Sequence, residues 1–253
     1  MCCSPAYLPW PGYRALVGAG LVAALLVALA RSRRWQVPPL TVVDAVLAGT
    51  VGGMVGGRIG YVVANWAYFQ GHLSQALQVW RGGLSPHAAL LGAVGGVVLM
   101  AYRRKVDPRL LLDLLAPSAA LVAGSAWLGC LWAGCAWGIE VRPDQGLLWR
   151  LGAELPDLYG LRAPRVAVQA MGAGWSGLAF LVTLMLGRRG RPFLLWLILH
   201  GVGGFGLGFL RGDLSPVWAG MSLSQIADLA TAFVGLALLA LPDRRLERSE
   251  GDG

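Results

Sequence analysis

Of the 253 residues, 56% are hydrophobic and only 13% are charged, and the mean hydropathy is +0.60. A soluble domain carries about 25% charged residues, so the composition excludes an ordinary water-soluble fold. The net charge of +8 does not point to nucleic acid, because thirteen of the 21 basic residues fall in four short clusters, each behind a long apolar run. Cytoplasmic loops of membrane proteins carry that pattern.

A membrane span needs about 20 mainly apolar residues, and the chain offers seven such stretches, which makes it an all-α polytopic bundle. Cys2 and Cys3 precede the first, Tyr13–Ala30. That run is long for the core of a signal peptide and has its positive charge behind it, at Arg31, Arg33 and Arg34, so it is expected to remain as a span. The second, Thr41–Trp66, starts near Asp44 and carries Arg58 in its later half. Residues Tyr68–Gly83 follow, with Leu73, Leu77 and Trp80 at helical spacing, the pattern of a helix lying in the interface.

The third span, Pro86–Tyr102, opens beside His87 and ends before Arg103, Arg104, Lys105 and Arg109. The fourth, Leu110–Trp137, includes Asp113, Cys130 and Cys135. Four cysteines in a chain of this size make no disulfide framework, and the pair in the span reads as small buried hydrophobes. Ile139–Arg165 is the longest loop. The fifth span, Val166–Leu186, runs into Arg188, Arg189 and Arg191. The sixth, Phe193–Leu210, holds His200, with Arg211 and Asp213 at its far end, and the seventh, Leu223–Leu241, precedes Arg244, Arg245 and Arg248.

Seven spans put the termini on opposite sides, and the four basic clusters all reach the cytoplasm only if the N-terminus is outside and the C-terminus inside. Trp66, Trp80, Trp132, Trp137, Trp149 and Trp218 then gather at the outer boundary. Residues 1–253 are read as one integral membrane domain. The many glycines within spans permit close helix approach, and the absence of an inverted repeat weighs against a transporter. Each charge inside a span is a candidate site residue, to be weighed against a plain interhelical bond or an interface anchor. Arg58, His87 and Arg211 all fall toward the outer leaflet, where cations suit a phosphate.

Three segments, in order, carry a resemblance. GGRIGYVVANW with RGGLSPHAALLGAVGG, then DLLAPSAALVAGSAWLGCLWAGCAWG, then GFLRGD with MSLSQIADL resemble the prolipoprotein diacylglyceryl transferase family over most of the chain. The resemblance implies a multi-pass enzyme of the bacterial cytoplasmic membrane, which moves the diacylglyceryl group of phosphatidylglycerol onto the lipobox cysteine of a prolipoprotein signal peptide. No cofactor and no nucleic acid are implied. His87 falls on the family's essential histidine and Tyr13 on its essential tyrosine. Arg58 and Arg211 fall on arginines suited to the lipid phosphate, while Asp113 and Gly138 fall on supporting positions. With no carboxylate expected beside them, the two arginines are read as a shared anion site. The chain departs from the family pattern where Trp127 stands for the signature arginine, Cys130 for an asparagine and Cys135 for a glutamate. Gly204 and Gly208 likewise stand for an arginine and a glutamate. A non-catalytic lipid- or lipoprotein-binding paralogue is the alternative these departures leave, and a small-molecule transporter is a more distant one.

Overall fold

The structure is a computed structural model that describes residues 10–157, 159–186 and 191–241. Cys2, Cys3, Arg188, Arg189, Arg244, Arg245 and Arg248 therefore lie outside the described residues. Among those described, seven long helices form: α1 (Trp10–Arg34), α2 (Pro39–Ala64), α3 (Pro86–Arg103), α4 (Pro108–Ala133), α5 (Val168–Met185), α6 (Pro192–Gly208) and α7 (Leu223–Ala240). Four of them, α2, α3, α4 and α6, open on proline, whose fixed φ and missing N–H suit a first helical turn. The fourth stops at Ala133, short of the expected Trp137, because Gly134 adopts a left-handed C-cap, which glycine does at little cost.

Five of the helices are long and apolar enough to cross a membrane, within Gly12–Arg34, Pro39–Ala64, Pro108–Ala133, Val168–Met185 and Leu223–Ala240. The chain is thus a multi-pass helical membrane protein. Of the seven runs read from the sequence, α6 falls short at 17 residues, and α3 is weakened by His87 at its start and Arg103 at its end. The outward faces remain apolar, with Val22, Leu26, Leu47, Val51, Ile59, Leu91, Leu181, Phe233 and Leu236 all exposed. A soluble monomer does not display so continuous a greasy surface.

The helices pack mainly in pairs, α2 on α3, α1 on α4, α6 on α7 and α4 on α5. In the first pair the backbones nearly touch: a Cβ on Gly56 would lie 2.6 Å from the Ala88 carbonyl oxygen and 2.9 Å from Gly92 Cα. Buried Ala28, Trp35, Val42, Ala45, Val97, Ala101, Leu111 and Leu114 close one end of the bundle. At that same end Asp44 accepts from Arg104.

Two expectations are corrected. The fold is not purely helical, since the long loop folds into a hairpin of β1 (Gly152–Pro156) and β2 (Arg162–Val166), antiparallel with Gly152 opposite Val166 and Pro156 opposite Arg162. Its turn is built by Asp157, whose Oδ1 accepts from Tyr159 N at 2.8 Å and Leu161 N at 3.0 Å, as short acidic side chains do in turns. The Tyr68–Gly83 stretch is not one interfacial helix either. It breaks into short helical turns at Trp66–Phe69, Leu73–Ala76 and Val79–Arg81, bent around a buried cation described below.

Candidate active site

His87 enters the bundle because Pro86 starts α3 directly after an anchored loop: Ser85 N donates to Gly57 O of α2 at 2.9 Å. The imidazole Nε2 meets Asp228 Oδ1 of α7 at 2.8 Å, with the carboxylate side chain 9% exposed and the imidazole 20%. A buried charge persists only when hydrogen-bonded or paired, and His87 supplies that partner. Nδ1 carries no hydrogen bond from the described residues.

Two glycines of α6 make room for this arrangement. A Cβ on Gly204 would come within 2.5–2.7 Å of all three carboxyl atoms of Asp228. One on Gly208 would run into Gln225 Cγ, Cδ and Nε2. Gln225 and Asp228, one turn apart on α7, therefore fill the two notches that Gly208 and Gly204 leave one turn apart on α6. Gln225 is oriented by a capping box: Ser222 N donates to its Oε1 at 2.9 Å, and its own backbone N donates to Ser222 Oγ at 3.2 Å. His200 lies one turn before Gly204 and stacks on Trp196 with centroids 5.1 Å apart.

Arg58 is 7% exposed. Its guanidinium donates to four backbone carbonyls, from Nε to Ala76 at 2.8 Å, Nη2 to Gln75 at 2.6 Å, and Nη1 to Gly82 at 2.5 Å and Gly83 at 3.1 Å. Tyr61 and Phe69 present ring faces to it at 5.7 and 5.5 Å. The planar fork of arginine can hold several acceptors at once, and here it gathers the loop ahead of α3 around itself.

Arg211 does have a carboxylate partner. Asp213 accepts from its Nε at 2.9 Å and its Nη2 at 2.7 Å, which removes the expectation that no acidic group faces it. The two arginines are thus held by different partners, one by a loop and one by a neighbouring carboxylate. Gly138 lies against the Arg211 segment: the two form a β-bridge, Ile139 N donates to Leu210 O at 2.9 Å, and Gly212 N donates to Trp137 O at 2.8 Å. A side chain at 138 would collide with the Val166 carbonyl, so only glycine fits.

Tyr13 lays its ring on Gly129 of α4, where a Cβ would lie 2.7 Å from Cδ2. Asp113 belongs to the opposite end of the bundle from His87, where its Oδ1 accepts from Phe193 N at 2.9 Å and so caps the start of α6. The α3 axis alone separates those ends by roughly 25 Å. Trp127 packs on Gly172 of α5.

Cys130 and Cys135 are not free thiols packed as hydrophobes. They are joined in a disulfide with Cα atoms 4.7 Å apart, made possible because the left-handed Gly134 turns the chain back. Cys135 O then accepts from Gln169 Nε2 at 3.0 Å.

Sequence reasoning does not single out Asp228, Gln225 or the disulfide. The signal for Asp228 was available, since a lone carboxylate in the apolar run LSQIADLATAF is expensive in a membrane. The partner could not be read, because His87 is 141 positions away.

Comparison with known proteins agrees with this architecture. A family model described as prolipoprotein diacylglyceryl transferase matches residues 7–241. The chain is 28% identical over 245 residues to a protein of Geobacter sulfurreducens named phosphatidylglycerol–prolipoprotein diacylglyceryl transferase, covering 93% of this chain and 91% of the relative. Identically named proteins of Listeria monocytogenes serotype 4a (24% over 239 residues, 90% of this chain and 83% of the relative) and Streptococcus sanguinis (25% over 244 residues, 93% and 91%) are similar.

Proposed function

The chain belongs to the prolipoprotein diacylglyceryl transferase family, and on that premise we propose that it moves the diacylglyceryl group of phosphatidylglycerol onto the lipobox cysteine thiol of a prolipoprotein. The observation that carries this reading is the His87–Asp228 pair at 2.8 Å, a base set at the one family position where a thiol must lose its proton. His87 takes that proton. The thiolate then forms a C–S bond to the glyceryl carbon of the lipid while the C–O bond to phosphate breaks, and glycerol phosphate leaves and recovers the proton. Tyr13, resting on the signature helix, belongs to the same catalytic group.

Cationic charge for the leaving phosphate comes from Arg58, and Arg211 joins it by exchanging one of its two bonds to Asp213 for the phosphate. Arg58 is surrounded by carbonyl oxygens and no described carboxylate pairs with it, so its positive charge acts as a field without direct contact. Gly138 fixes the Arg211 segment, and Asp113 supports the site from a distance by capping α6. The protein is one membrane domain of seven spans in the bacterial cytoplasmic membrane, with its N-terminus outside. Two features support that orientation: the basic clusters at Arg34, Arg104 and Arg191, and a disulfide at the opposite end of α4, where an oxidising exterior preserves it.

A second reading, a non-catalytic binder of lipid or lipoprotein, is favoured by Trp127, Gly204 and Gly208, none of which supplies a charge. Purified protein in phosphatidylglycerol vesicles with a lipobox peptide separates the two. Transfer gives the peptide the mass of a diacylglyceryl group, absent in phosphatidylcholine vesicles. No mass change, with heat stability still raised by phosphatidylglycerol, supports the binder instead.

A further inference from the structure

We propose that Asp228 is a positioning residue for His87, placed there by the side-chain-free notch at Gly204. The proposal rests on the transferase reading. Its geometry is the 2.8 Å contact from Nε2 to Oδ1, the burial of Asp228 at 6% exposure, and the fit of its carboxyl group into the space that a residue-204 Cβ would take.

One imidazole nitrogen cannot both hold a carboxylate and accept a proton. With Nε2–H donating to Asp228, Nδ1 is left as the lone-pair nitrogen, and the ring cannot rotate without losing a buried bond. The base thus enters the reaction in one tautomer and one orientation. When Nδ1 takes the thiol proton, the resulting imidazolium already faces a carboxylate, which lowers the energy of the charged pair formed with the thiolate. The other charged groups on helices packed against α3 are engaged elsewhere. Asp44 binds Arg104 at the far end, Arg58 is turned into its loop, and Asp113 caps α6. His200 on α6 is the exception: it stacks on Trp196 and lies within electrostatic reach of both Asp228 and His87.

The arrangement also gives a reason for one departure from the family pattern on α6, that at Gly204. An arginine at 204 would compete for the volume and charge of Asp228. Glycine there, with aspartate on α7, exchanges a cation at this spot for a carboxylate that serves the base.

The test is a mutant cycle on the full protein in phosphatidylglycerol vesicles. Asp228→Ala should lower kcat by about 10²-fold, with KM for the lipid changed less than about twofold. In a His87→Gln background, adding Asp228→Ala should cost less than about twofold more, since a residue acting only through His87 has nothing left to position. An equal loss in both backgrounds overturns the proposal, as does an unchanged kcat. A readout free of activity accompanies it. With ¹⁵N-histidine, the three histidines are assigned by deleting each, and His87 should show an exchange-protected Nε2–H that disappears in Asp228→Ala. Persistence of that signal in the variant overturns the pairing. If the wild type transfers nothing, the transferase reading fails, and the ¹⁵N signal alone decides whether Asp228 holds His87.

Discussion

Asp228 occupies the volume that a side chain on Gly204 would need, its carboxylate oxygens standing 2.5 and 2.7 Å from the Cβ position of that residue. Gly204 cannot gain a side chain while Asp228 stands there. Gly204→Ala should force the carboxylate off His87 and destabilise the protein by about 1–3 kcal/mol, the range for overpacking. Shortening the intruding group with Asp228→Ser should restore stability in the double variant without restoring turnover. Thermal unfolding in detergent micelles measures the coupling; strictly additive losses would show that the two side chains do not compete.

Arg58 makes a different demand. Its four carbonyl partners, Gln75, Ala76, Gly82 and Gly83, surround a flat fork. Arg58→Lys keeps the charge but cannot reach all four, leaving buried carbonyls unmet at about 2 kcal/mol or more. The expected outcome is faster protease cleavage within residues 70–85 and a lower unfolding temperature. Wild-type stability in the lysine variant would show that charge alone suffices.

The Cys130–Cys135 bridge closes a short loop over the left-handed Gly134. By loop-closure entropy such a bridge contributes about 2 kcal/mol. Cys130→Ser with Cys135→Ser should lower the unfolding midpoint accordingly, and dithiothreitol should reproduce the shift in the wild type but not in the double variant. Alkylation of unreduced protein should miss both positions. Ready labelling of either one would exclude the bridge.

Reporter fusions test the orientation. Those placed after Arg34, Arg104 and Arg191 should read cytoplasmic, and those near Gln70, Gln145 and Gly220 external. One basic cluster found outside would end the seven-span arrangement.

The long helices were legible because each is an apolar run with proline at its head or arginine at its tail, signals confined to one segment. His87, Arg58 and Gly138 were legible as positions within local motifs. Their partners were not, because pairing depends on how distant helices register. The Tyr68–Gly83 stretch shows the limit well. Its apolar spacing suits a helix, yet Arg58, from the preceding span, draws its carbonyls inward and breaks the helix into turns. Cys130 and Cys135 mislead for a related reason: spacing alone does not disclose that Gly134 reverses the chain between them. Arg211 looks unpartnered in the sequence because the acidic position expected for it on α6 is Gly208, whereas Asp213, two residues past the arginine, folds back to accept from it.

The close seam between α2 and α3, where Gly56 meets Ala88 and Gly92 almost atom on atom, has a consequence for how this protein tolerates sequence drift. A single added methyl there would pry the two helices apart and carry His87, mounted on the first turn of α3, away from its partner on α7. In a saturation map of function, some of the least forgiving positions will therefore be residues that no lipid or peptide ever touches. Ranking positions by intolerance would trace this glycine seam alongside the reaction centre it holds in place.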